Sequence, residues 1–208
     1  MWYAQTQGAY SRDSNEAKEN AKMIYNQMTA YGWTLSAICG MLGNMSAESG
    51  YNPWRWQGDI VQSSTGSPWT NIGYGLVQFT PASKYIDSED AKKDINYSPN
   101  FSDKAGNPND GESQMNYVNS YADYIPTTTY PESYEDYKKS TGTPEYCARV
   151  WLYNYERPAD PGSTETSREE NARYWFDYLQ GIEPEPPTPG KTSSNKMIYY
   201  LNKWKRYV

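Results

Sequence analysis

From Thr34 to Pro53 the chain carries the pattern that most limits how it can fold. Leu35, Ile38, Cys39, Leu42 and Met45 recur at helical spacing behind a Thr34 cap, and Gly50 and Pro53 supply the stop. An apolar stripe of this kind has to be covered by other elements, and the remaining periodic segments are helical as well. Asp13-x-x-Glu16 reads as a capping box ahead of Ala17, Ala21, Ile24, Tyr25 and Met28, with Gly32 as the end. A short helix is expected after Pro81, and Met115, Val118, Tyr121, Ala122 and Ile125 mark another. Thr143-Pro144 opens the next, which carries Cys147, Val150 and Trp151. Ser167-x-x-Glu170 caps the last, through Ala172, Trp175, Phe176 and Leu179 to Gly181. Residues 51–80 are rich in Gly, Pro, Ser and Trp and read as a long irregular lobe or small hairpin. Residues 96–112 read as a polar loop, and no internal repeat is visible. The expected organisation is one mainly helical domain over 1–181, a Pro-rich linker over 182–195 and a basic aromatic tail over 196–208.

Composition narrows the chemistry. A net charge of −6 argues against a nucleic-acid partner, whose footprint would be a basic face. No stretch approaches the roughly 20 apolar residues of a membrane span, and the first residues lack the regions of a secretory signal. Cys39 and Cys147 both fall inside helical patterns, which favours buried free thiols over a disulfide. The 22 Tyr and 8 Trp, against 3 Phe, suit sugar stacking and equally suit wet interfaces. There is no histidine at all, so Ser-His-Asp and Cys-His nucleophile pairs are excluded and ordinary catalytic zinc sites are unexpected. No metal or other cofactor is implied, and in an enzyme of this composition carboxylates must move the protons.

Glu48 is the carboxylate that stands out. On a helical wheel it falls beside Met41 and Met45, at the edge of the apolar stripe and in the last helical turn. Partial burial and the negative end of the helix dipole both favour its protonated form there. That is what a general acid needs in order to protonate a departing sugar oxygen. A solvated glutamate near a helix end is the plainer alternative.

The neighbouring residues bear on that choice. "AESGYNP" at 47–53 and "GYGLVQFTP" at 73–81 resemble the two main motifs of the goose-type lysozyme and lytic transglycosylase group, and Tyr153-Asn154 matches a later Tyr-Asn signature. Over nearly all of 1–181 the chain is similar to the lysozyme domain of phage tail proteins, among them tail-knob wall-degrading proteins of short-tailed phages of Gram-positive hosts. The resemblance implies a mainly α, α+β lysozyme-like fold, with a small irregular or β lobe beside a cleft. It also implies cleavage of the β-1,4 bond between N-acetylmuramic acid and N-acetylglucosamine in peptidoglycan. Glu48 carries over as the acid, and Tyr74 and Gln78 as residues shaping the sugar groove, with Tyr153 and Asn154 facing the cleft as substrate contacts. Trp54, Trp56 and Trp69 are candidate stacking platforms for substrate that serve equally well as packing for the lobe. Glu156 and Arg157 read as a structural ion pair at a helix end. No counterpart of the relatives' zinc endopeptidase domain is expected in this histidine-free sequence.

Mechanism turns on a second carboxylate. An inverting glycosidase places one roughly 6.5–9.5 Å from the acid to activate water. Asp59, eleven residues after Glu48, is the candidate, and an ordinary loop aspartate is the alternative. Without such a base the substrate's own 6-hydroxyl attacks, and the enzyme is a lytic transglycosylase. A structural tail component that only binds glycan, or an endolysin, are rival readings. The expected location is the virion, at the phage tail tip. Peptidoglycan strands are the expected partner, with other tail proteins docking on the C-terminal tail.

Overall fold

The computed structural model describes residues 2–5, 7–59, 72–92, 110–120 and 123–184. Trp69, the linker beyond Pro184 and the basic tail lie outside these residues. The fold is mainly helical, and the described extended pairing is confined to isolated bridges from Trp56 to Tyr74 and from Tyr74 to Phe79. In chain order the helices are α1 (Asn15–Ala30), α2 (Leu35–Glu48), α3 (Ser83–Ile86), α4 (Glu89–Lys92), α5 (Asp110–Ser120), α6 (Tyr134–Lys138), α7 (Pro144–Trp151) and α8 (Glu165–Leu179). No described helix is long and apolar enough to cross a membrane.

Side-chain caps set the starts of α1, α2, α6 and α7, and α1 and α8 begin away from where the sequence pattern points. Ser14, not Asp13, caps α1 by accepting from the Ala17 amide at 3.1 Å. Thr34 caps α2 and Thr143 caps α7, with Pro144 in the first turn. α8 begins at Glu165, ahead of the expected Ser167 box, and its N-cap Thr164 makes no capping bond through its side chain. The α6 turn, capped by Ser133, has no apolar repeat to announce it.

α2 is the axis of the domain. From Ala37 to Met45 every residue is buried, and α7 and α8 pack against it. Two glycines let these neighbours come close: a Cβ at Gly40 would sit 2.5 Å from the Cys147 carbonyl carbon, and one at Gly43 would sit 2.4 Å from the Arg168 carbonyl oxygen. Cys39 and Cys147 are buried free thiols, as expected, and burial pushes both thiols up, Cys147 to about 11.

An aromatic layer closes the other side. Trp33 meets Tyr134 and Tyr137 edge-on, each at 5.9 Å, and Trp151 stacks on Tyr155 at 4.1 Å. Where α2 ends, Tyr51 turns back into the core and accepts a 2.9 Å hydrogen bond from Trp175 of α8. The exit from α2 is therefore pinned to α8, and this pinning fixes the last turn that carries Glu48.

Candidate active site

Glu48 is the final residue of α2, and its carboxyl opens onto a cleft of about 450 Å³. The "ES…N" residues around it build the turn rather than the chemistry. Ser49 donates to the Leu76 carbonyl at 2.8 Å, tying the end of α2 to the second motif. Asn52 donates to the Gln5 and Gly8 carbonyls and accepts from the amides of Gln5 and Trp54, holding the N-terminal segment against the loop.

The second motif forms the opposite lip. Tyr74 and Phe79 pair across a tight turn, in which Gly75 takes a φ of 81° that glycine adopts freely. Gln114 of α5 clamps this turn to the first motif: its side chain accepts from the Leu76 amide at 2.7 Å and donates to the Pro53 carbonyl at 2.6 Å. Gln78 reaches the cleft, and its amide donates to the Arg55 and Gly75 carbonyls, so its carbonyl oxygen is presented by a fixed side chain.

The third wall comes from the end of α7. Leu152–Glu156 continues it as a π-helical turn, closed by Arg157 in the left-handed conformation. Tyr155, Glu156 and Arg157 line the cleft, whereas Tyr153 and Asn154 do not. Tyr153 instead donates to Glu165 and packs on Tyr130. Asn154 is fully buried and knits Thr127, Tyr130 and Tyr124 together. Its role in the structure is to support the wall from behind.

Trp56 and Tyr74 are likewise buried, with ring centroids 4.6 Å apart, and lie beneath the cleft instead of lining it. Trp54 is also outside the lining. Asp59 sits beside the cleft with its carboxylate already occupied. It accepts from Arg55 at 3.1 and 3.2 Å and from the Gly8 amide at 2.7 Å. The Arg55 hydrogen bond, followed by the Gly8 amide, holds this carboxyl below the usual aspartate value.

Charges in the cleft are organised by a residue that the motifs do not reveal. Arg168 of α8 is 6% exposed and donates to the Glu48 carboxylate at 2.7 Å. Its other nitrogens reach the Asn44 side chain at 2.8 Å and the Thr164 hydroxyl at 3.2 Å. On the far side Lys84 and Arg157 both pair with Asp123. Glu156 therefore does not form the expected ion pair with Arg157; its carboxyl accepts from the Trp151 indole at 2.7 Å. Burial, and next the charge of Glu48, push the Glu156 carboxyl well above the usual glutamate range.

A carboxylate at the end of a buried helix, a glutamine-bearing turn across a cleft and a helical scaffold define a lysozyme-like protein. The sequence model of the family described as phage tail lysozyme matches residues 19–179, and the chain belongs to that family. It is 36% identical over 173 residues to morphogenesis protein 1 of Bacillus phage B103. That match takes in 80% of this chain and 40% of the relative's length, so the chain spans well under half of that protein.

Proposed function

We propose that the cleft cleaves the β-1,4 bond between N-acetylmuramic acid and N-acetylglucosamine of peptidoglycan, with Glu48 as general acid. The observation that carries this reading is the placement of the Glu48 carboxyl at a cleft wall, facing a rigid Gln78 turn. Glu48 gives its proton to the bridging oxygen as the C1–O bond breaks, and Gln78 and Tyr155 hold the sugars in place. Family membership and the likeness to a phage morphogenesis protein support a virion-borne role, opening the wall at infection. In that setting the basic tail, with Lys196, Lys203, Lys205 and Arg206 among its aromatic residues, docks on another tail protein. Deleting 182–208 should leave wall cleavage intact and abolish incorporation into particles.

One observation favours a second reading of the product. Asp59 is committed to Arg55 and Gly8, which leaves it poorly placed to activate water. Attack by the muramyl 6-hydroxyl needs no second base, because Glu48, having given up its proton, takes the one released by that hydroxyl. Mass spectrometry of digested walls decides between the two. Free reducing ends mean hydrolysis, 1,6-anhydro ends mean transglycosylation, and uncut glycan from active-concentration protein would overturn both.

A further inference from the structure

Glu156 is a carboxyl that no ion pair neutralises among the described residues. Arg168 spends its nitrogens on Glu48, Asn44 and Thr164, and Arg157 pairs with Asp123. Among the described residues the Glu156 side chain is hydrogen-bonded by the Trp151 indole, a group that only donates. A bond of that type satisfies one oxygen of a neutral acid and leaves the other free to carry a proton. Glu48 lines the same cleft, and the two carboxyls share a site that holds a single buried guanidinium.

We propose that Glu156 is a positioning residue for the acid: it and Glu48 share one proton, which passes from Glu156 to Glu48 as Glu48 protonates the departing sugar oxygen. The inference rests on the glycosidase reading above. Two like charges in one partly buried site do not ionise independently, so the second proton is held to higher pH than by either group alone. Before the step Glu156 is neutral and Glu48 carries the charge. Once the proton has gone through Glu48 to the sugar oxygen both carboxyls are charged, with Arg168 still bonded to Glu48 and Arg168 and then Arg157 offsetting the new charge on Glu156. The proton released by the attacking water or 6-hydroxyl returns to the pair, so no other acid is consumed. The groups that set this balance are Glu48 on α2, Arg168 on α8, and Arg157 and the Trp151 indole on either side of the π turn.

The test is a carbon-13 carboxyl NMR titration of the full chain as wild type, Glu48→Gln and Glu156→Gln, alongside the pH profile of kcat/KM on purified walls. One carboxyl should titrate above the ordinary glutamate range, vanish in Glu156→Gln and move to lower pH in Glu48→Gln. The alkaline limb of kcat/KM in Glu156→Gln should fall at least one pH unit lower, a tenfold loss at any pH on that limb. A missing high-titrating carboxyl, one unmoved by Glu48→Gln, or an unshifted rate profile would each overturn the proposal. If Glu156→Gln fails to fold, the wild-type and Glu48→Gln titrations still decide it. Inactive wild-type protein with the expected titrations would instead overturn the glycosidase reading and leave the proton pair standing.

Discussion

Two acidic residues near the cleft each accept from an arginine, and the similarity ends there. Glu48 and Arg168 are 120 residues apart, 20% and 6% exposed, and held by two helices that meet over Gly43. Asp59 and Arg55 are neighbours within one loop, 37% and 23% exposed, and need no tertiary packing to find each other. The first pair exists only in the folded core, so the fold dictates its geometry and its charge. The second is a surface contact of the kind that contributes about 0–1 kcal/mol. A carboxylate is chemically useful here to the extent that helices, not a loop, control its surroundings.

The comparison can be broken in four places. Glu48→Gln keeps the shape and removes the proton, so cleavage should fall by about 10²–10⁴-fold. Clearing of walls at near-wild-type rate would end the assignment of the acid. Arg168→Met leaves the Glu48 carboxylate without its buried cation. Breaking a buried pair in this way should cost about 3–5 kcal/mol in chemical denaturation, and a loss under 1 kcal/mol would place the pair with surface contacts. Gly43→Ala drives a methyl into the Arg168 backbone and should cost about 1–3 kcal/mol while lowering activity, because α8 must shift with its guanidinium. Unchanged activity would mean that Arg168 does not depend on that contact.

Asp59→Asn should show the smallest effect. Arg55 and the Gly8 amide hold the Asp59 carboxyl below its ordinary value, so its contribution is present above the usual aspartate pKa. That contribution fades as pH falls through the lowered value, and only the wild type should lose it on acidification in pH-dependent melts. Activity near neutral pH should stay within a few-fold of wild type; a hundredfold loss would return Asp59 to the role of catalytic base.

The sequence was most readable where one helix states its own pattern. The Thr34 cap, the stripe from Leu35 to Met45 and the placing of Glu48 at its end all follow from residues in contact along the chain. Ser14 in place of Asp13 shows the limit of even a local rule, since both are good caps and only the folded entry angle chooses between them. Asn154, through the Tyr-Asn signature, and Trp56, as a stacking platform, are expected at the sugar groove, whereas packing between distant segments buries both. Arg168 was the hidden part, although a trace was there. It lies four residues before Ala172 on the stripe that runs through Trp175 and Leu179, and a basic residue on such a stripe calls for a buried acid.

The π turn at 152–156 has a further consequence, for register. Trp151 stacks its ring on Tyr155 and donates its N–H to Glu156, serving two successive residues at once. A regular α-helix brings residues three or four apart onto one face and turns the fifth aside, whereas a turn widened by one residue brings the fifth back. The extra residue thus acts as a spacer that decides which side chain arrives at the cleft. Removing one residue between Leu152 and Tyr155 would restore a better helix and deliver the wrong neighbour to Glu48. In this protein the less regular winding is what brings Glu156 to the cleft.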